Sequence, residues 1–170
     1  MINLSSEEIN LTSPYKVEWV GDNSFVFETR FGLRYNVGFV EDYTFRDRGV
    51  YQFYIVNLDN SHFIRDNNVK KTIQSVIEAF FSSEPTTMLY ICDPSDNKQG
   101  VRDRLFRNWF KEYAFQGAYT LVNEKLKFDG VEYFASILLK NNHPEYSEII
   151  SSFKNFIEDL PNKIEQIQNN

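Results

Sequence analysis

A chain of 170 residues with 42% hydrophobic and 16% aromatic residues has enough apolar material for one core, which argues against a globally disordered protein. Its formal net charge of −6 disfavours non-specific nucleic-acid binding and docking on anionic membranes, because both depend on basic surfaces. The single cysteine excludes an intrachain disulfide, and two histidines beside it do not make a zinc-ligand set.

The sequence shows no targeting signal and no membrane-spanning segment. Residues 1–13 lack the basic region and apolar stretch of a signal peptide, and no apolar run approaches the roughly 20 residues that a transmembrane helix needs. We therefore expect a cytoplasmic protein without a membrane partner. The chain also lacks repeats and linkers, which predicts one domain over residues 1–170, with an N-terminal arm at 1–13 and a polar tail at 161–170.

The first half of the chain has the period-two alternation of β-strands. Gly21 to Ser24 and Phe31-Gly32 are typical of tight turns, so they predict antiparallel hairpins. A fourth run is nearly all apolar or aromatic, which is typical of a central strand. The four predicted strands cover residues 15–19, 25–29, 33–39 and 50–58.

After Asp66 the apolar spacing changes to that of a helix face, and Asp66 or Asn67 is expected to cap this helix. The last helix is expected to begin after Pro144 and to end at Pro161. The resulting order, β-β-β-β-α-β-α-β-β-α, predicts an α+β fold in which helices pack on a mixed, largely antiparallel sheet. The elements between these helices are a strand at 87–92, a helix at about 98–114, and strands near 118–127 and 131–140.

The loop from Cys92 to Gly100 follows a buried strand and opens a helix, a position at which anions often bind. Lys98, Gln99 and Arg102 are candidate donors to such a ligand. Asp93 and Asp96 would repel phosphate, and they are the candidate general bases if the protein is an enzyme. The commoner use of such a loop is to cap the helix, and we favour that interpretation.

The second long helix is basic on its outer side. Its basic residues are Arg102, Arg104, Arg107 and Lys111. The candidates for contact with a partner on this side are Arg107, Lys111 and Trp109. The partner could be an acidic protein or a nucleic-acid strand, and the acidic net charge of the chain favours a protein partner. The alternative is a solvated face that pairs with Asp103 and Glu112 at most.

Arg65, Asn68 and Lys70 lie between a strand and a helix, where they are candidates for gripping an anion or serve only as turn and capping residues.

The remaining reactive side chains are isolated in sequence. His62 and His143 lie in polar surroundings and are expected at the surface. Cys92 has no histidine near it in sequence and is expected to be a small buried hydrophobe.

Several stretches between residues 15 and 155 match the residue pattern of a known protein family. They are Asp22-Asn23-Ser24-Phe25-Val26-Phe27, Tyr51-Gln52-Phe53-Tyr54-Ile55-Val56, Leu89-Tyr90-Ile91-Cys92-Asp93, and then Asp96, Lys98, Gln99, Arg102, Arg104-Leu105-Phe106 and Trp109-Phe110. They resemble an uncharacterised family of small proteins from Bacteroides and related bacteria. This resemblance implies a bacterial protein and no particular activity.

The element order also looks like the larger part of a GCN5-related N-acetyltransferase fold, which implies acetyl-CoA as a cofactor. In that family a loop with two glycines holds the pyrophosphate of acetyl-CoA. The matching loop here keeps Arg65 but has Asn68 and Lys70 at the glycine positions, where side chains hinder close approach. Counting seven positions from Asn97, the family's tyrosine general acid is replaced by Arg104, which is no proton donor.

The absence of a catalytic constellation and the basic helix from Arg102 to Lys111, with its aromatic residues, favour a non-catalytic protein-interaction module without cofactor or metal. The alternative is a divergent acyl-CoA-dependent N-acyltransferase, and a third hypothesis is an RNA- or single-strand-binding protein that uses exposed aromatic residues. The sequence assigns no substrate, partner or oligomeric state.

Overall fold

The computed structural model describes residues 2–59, 65–83, 85–92, 94–95, 97–115 and 117–168. The chain forms two compact units, which we call unit 1 and unit 2. Unit 1 comprises Met1–Val40 and Tyr51–Thr86, and unit 2 comprises Glu41–Val50 and Thr87–Asn170. The single domain over 1–170 stays a prediction.

The observed elements confirm the predicted α+β class and, from the first strand onward, the predicted order, which a further short helix precedes. In chain order they are α1 (Ser6–Asn10), β1 (Val17–Gly21), β2 (Ser24–Glu28), β3 (Arg34–Glu41), β4 (Val50–Asn57), α2 (Asn67–Ser83), β5 (Thr87–Cys92), α3 (Gln99–Phe115), β6 (Tyr119–Phe128), β7 (Val131–Lys140) and α4 (Tyr146–Gln168). The strand pairs β1–β2, β2–β3, β5–β7 and β6–β7 are all antiparallel.

Unit 1 is built on four strands in the order β1-β2-β3-β4. The turn between β1 and β2 is formed by Asp22 and Asn23, whose φ values of 42° and 57° are those of a hairpin turn that matches the twist of the strands. One face of the sheet is aromatic and buried, and the ring of Phe80 in α2 stacks on Phe39 at a centroid distance of 4.2 Å. The hydrophobic face of α2 therefore covers this side of the sheet.

The short helix α1 begins after Ser5, whose hydroxyl accepts a hydrogen bond from the N–H of Glu7 at 3.2 Å. Ile9 is fully buried and fixes the helix to unit 1. The predicted arm is thus helical between residues 6 and 10.

Unit 2 places a helix on each face of three strands in the order β5-β7-β6. On one face, α4 packs through Ile149, Phe153 and Ile157 onto alternate residues of the strands. The segment Glu41–Val50 belongs to this core as well, because Phe45 packs edge-on against Phe153 at 5.6 Å. On the other face lies α3.

The prediction that Pro161 ends the last helix is wrong. Pro161 lies inside α4, which continues to Gln168, so most of the predicted tail at 161–170 is helical. Proline removes one N–H from the helix but has a helical φ, so it does not force termination when the following residues keep helical geometry. None of the described helices combines the length and the apolar character needed to cross a membrane.

Candidate functional site

The helix α3 has two sides of different character. Its inner side is buried against unit 2's strands through Asp103, Phe106 and Phe110, with Trp109 beside them. Its outer side carries four exposed residues at helical spacing, which we call the basic face: Val101, Arg104, Asn108 and Lys111. The side chain of Val101 is 56% exposed, so the basic face also contains an apolar side chain.

The buried carboxylate of Asp103 is the centre of a polar network. It is 2% exposed, and its two oxygens accept hydrogen bonds from Arg107 Nε and from Asn123 Nδ2, both at 2.8 Å. Asn123 Nδ2 also donates to Ser136 Oγ at 2.7 Å. Through these hydrogen bonds the network couples α3 to β6 and β7. The buried carboxylate is tolerated because a charged partner, Arg107, and a hydrogen-bonding partner, Asn123, surround it.

The strand register explains why these residues meet. Ser136 in β7 is the direct neighbour of Asn123 in β6 and of Tyr90 in β5, so the three side chains form one row across the strands. The ring of Tyr90 packs on Phe106 of α3 at 4.0 Å, which shows that the row faces this helix. Cys92 follows on the same face of β5.

Burial controls the acid–base chemistry of this row. It raises the pKa of the Cys92 thiol to about 11, with the nearby carboxylate of Asp103 adding to the effect. Burial likewise raises the pKa of Tyr90, and the neighbouring Cys92 raises it further. Both groups are neutral at physiological pH, and Cys92, 1% exposed, is a buried hydrophobe as predicted.

Two of the three predicted interaction residues, Trp109 and Arg107, are held by other residues of unit 2, whereas the third, Lys111, is exposed. Trp109 is 9% exposed and packs edge-on against Phe106, so it is a core residue rather than a stacking platform. Arg107 is 38% exposed and is held by Asp103. Lys111 and Arg104 are exposed, and no carboxylate among the described residues pairs with either of them.

The loop before α3 is described only in part, since Asp93 and Asp96 lie outside the described residues. Lys98 is exposed, and Arg102 is half-buried. Gln99 Nε2 donates to the carbonyl of Glu132 at 3.2 Å, while its buried Oε1 has no hydrogen-bond partner among the described residues. Gln99 thus ties the start of α3 to β7 and does not face outward as an anion donor would.

The start of α2 holds a carboxylate at the place where Arg65, Asn68 and Lys70 were candidates either for binding an anion or for turn and capping roles. Asp66 caps the helix, because its Oδ1 accepts from the N–H of Asn68 at 2.9 Å. Its Oδ2 accepts from the hydroxyl of Tyr15. The hydrogen bond from Tyr15 is the main reason why the pKa of Asp66 lies below its ordinary value. Arg65 is exposed beside it, and Asn68 and Lys70 are half-buried.

These residues do not fit the diphosphate of acetyl-CoA at the matching loop. The charged Asp66 occupies the helix N-terminus and would repel it, and the N–H of Asn68 is already used. The side chains at 68 and 70 add steric hindrance.

The surface position expected for His143 is wrong, and His62 lies outside the described residues. His143 is 8% exposed, and its Nδ1 accepts from the N–H of Glu145 at 3.1 Å. It is buried because it closes the turn before α4, a capping use that polar neighbours in sequence do not exclude. No group of three His, Cys, Asp or Glu side chains suited to a metal ion exists among the described residues.

Sequence reasoning missed the polar row. Asp103 carries a signal, because it occupies the same helix side as Phe106 and Phe110 and a polar residue there predicts a buried partner. Asn123 and Ser136 carry none, since only the pairing of β6 with β7 makes them neighbours.

The matched family region contains this site. Residues 65–155, more than half of the 170, match the family model described as Family of unknown function (DUF6169). The chain belongs to this family. The DUF6169 region includes α2, β5, α3, β6 and β7 and the start of α4, and α1 to β4 precede it. Comparison with curated proteins gives no match.

Proposed function

We propose that this DUF6169 protein is a protein-interaction module that binds an acidic segment of a partner protein through the basic face of α3. One observation carries the proposal: Arg104 and Lys111 stand exposed on one helix side, with Val101 and Asn108 between and beside them. Residues at this spacing form a continuous strip on a helix, so one partner segment can contact all four.

The inner side of α3 supports this use. Phe106 and Phe110 anchor the helix, and the ion pair of Arg107 with Asp103 fixes its middle. A surface held this rigidly loses little conformational freedom on binding, which favours affinity.

Charge selects the class of partner. The protein as a whole carries −6, so an acidic partner is attracted at the basic face and repelled elsewhere, which gives orientation. A nucleic acid presents one phosphate per nucleotide, and two exposed cations neutralise too few of them for tight binding. An acidic protein segment is therefore the better match.

The test uses a short fluorescein-labelled peptide of alternating glutamate and alanine, titrated at low and at physiological salt. We expect saturable binding that weakens as salt rises, and a loss of about tenfold or more in affinity for the double variant Arg104→Glu/Lys111→Glu. The matched control is Lys127→Glu/Lys154→Glu, which makes the same change in net charge at exposed positions on β6 and α4.

Two results would overturn the proposal. One is an equal loss of binding in both double variants, which would show an effect of net charge alone. The other is tighter binding of an oligothymidylate than of the peptide, with a steep salt dependence, which would favour a nucleic-acid ligand.

A further inference from the structure

The strand β1 forms the edge of the strand order in unit 1, and β2 is its neighbour. An edge strand presents unpaired main-chain groups, and these are a template for a further strand. Natural proteins block such edges with side chains, bulges or charges, so any part that remains open is informative.

The side chain of Asn10 blocks β1 at Val17. Its Oδ1 accepts from the N–H of Val17 at 2.7 Å, and its Nδ2 donates to the carbonyl of Val17 at 2.9 Å. A carboxamide that makes both bonds occupies the place of a peptide group on a neighbouring strand. The bonds also establish that the main-chain groups of Val17 point away from β2.

The same geometry leaves β1 open at Trp19. In antiparallel pairs, residues that point their main-chain groups outward alternate with residues that point them inward. Trp19 is two positions after Val17 and pairs with Phe25, so its N–H and C=O point outward as well. Among the described residues, no turn or loop segment makes a main-chain hydrogen bond to Trp19.

A groove lies beside this open position. It has a volume of about 640 Å³, and its lining includes Ile2, Leu4, Glu7, Trp19 and Asp22. The indole of Trp19 is 61% exposed, a large apolar surface to leave in water. The next residue, Val20, is 54% exposed and lies at an irregularity of the β1–β2 pairing, which limits the open edge to a few residues.

We propose that β1 binds an extended, basic peptide segment of a partner protein, which adds a strand at Trp19 and inserts an apolar side chain into the groove. The outward main-chain groups select an extended chain, because only a strand can pair with them. The carboxylates of Glu7 and Asp22 line the groove, and the ion pair of Lys16 with Glu18 adds no net charge, so charge favours a basic segment. The short edge predicts modest affinity.

This inference goes beyond the function proposed for α3, because it concerns unit 1 and a partner of opposite charge. The probe is a labelled peptide of alternating lysine and valine, and its control has a methyl group on the backbone nitrogen of the central valine. That methyl group removes one ladder hydrogen bond and leaves the side chains unchanged. The variant Arg104→Glu/Lys111→Glu should bind the peptide unchanged, which separates the two proposals.

Amide hydrogen exchange gives the direct readout. We expect the N–H of Trp19 to become protected when the peptide is added, while the N–H of Val17, already bonded to Asn10, does not change. Trp19→Ala should weaken binding about tenfold, as expected for an aromatic anchor, and Leu11→Ala, at a side chain that is 84% exposed, should not. Asn10→Ala should strengthen binding, because it opens the edge at Val17.

Equal binding of the methylated peptide, or no protection of Trp19, would overturn the proposal. Protection of Trp19 that grows with protein concentration in the absence of peptide would also overturn it, since a second copy of the chain would then be the occupant.

Discussion

Asp66 in unit 1 and Asp103 in unit 2 are both buried carboxylates, yet their surroundings differ. Asp66 receives hydrogen bonds from neutral donors, the hydroxyl of Tyr15 and the N–H of Asn68. Asp103 receives one from the guanidinium of Arg107 and one from the amide of Asn123. One carboxylate is thus stabilised without a directly bonded cation, and the other depends on one.

The difference shows two ways of fixing a helix. Asp66 caps α2 at its N-terminus, where the helix dipole itself favours a negative charge. Asp103 lies in the first half of α3, where no free N–H groups are available, and needs a cation one turn further along. Removal of partners should therefore affect the two helices to different extents.

The largest effect is expected at Arg107. Replacing it by methionine leaves the charge of Asp103 buried without its cation, which should lower the free energy of unfolding by about 3 kcal/mol. Adding Asp103→Asn to this variant should recover most of the loss, because an uncharged amide can still accept from Asn123. Urea denaturation of the four proteins in the cycle measures both values.

Arg104→Met is the matched control, an exposed arginine on the same helix, and should change the free energy of unfolding by less than about 0.5 kcal/mol. If Arg104→Met and Arg107→Met had equal effects, the network around Asp103 would not stabilise α3.

A smaller effect is expected at Asp66. Asp66→Ala removes the cap of α2 and leaves the Tyr15 hydroxyl without its partner, which should cost about 2 kcal/mol at neutral pH. Because the pKa of Asp66 is lowered in the folded protein, its contribution is complete above the ordinary aspartate pKa of about 4. It is lost as pH falls through the lower folded value, so the difference between wild type and variant should narrow there.

Thermal or urea unfolding at a series of pH values checks this, with Glu78→Ala, an exposed carboxylate on the outer side of α2, as control. A difference between wild type and Asp66→Ala that stayed constant down to the lowest pH would contradict the assignment.

The smallest effect on stability is expected at Cys92. Its thiol is buried and its pKa is raised to about 11, so a disulfide reagent at pH 8 should react ~100-fold more slowly with the native than with the unfolded protein. Stability should fall as pH rises above the ordinary cysteine pKa, because the unfolded thiol then ionises first. Arg107→Met should increase the native rate if the network seals this row, and equal native and unfolded rates would show that it is open.

Local patterns were enough to predict most elements of the fold. The alternation in the first half, the helix period after Asp66 and the Asp66 cap all rest on interactions between residues near in sequence. The expected end of α4 at Pro161 failed for the same reason, because a local rule about proline was applied where the helix continues.

The sequence by itself determined the α+β class, the order of the elements and the basic character of α3, since each depends on residue type and spacing. Only the tertiary structure decided that Trp109 and Asp103 are buried and that Arg107 is held by Asp103. It also brought Tyr90, Ser136 and Asn123 into one row. Strand pairing joins residues that are distant in the chain, and no local preference encodes which strands become neighbours.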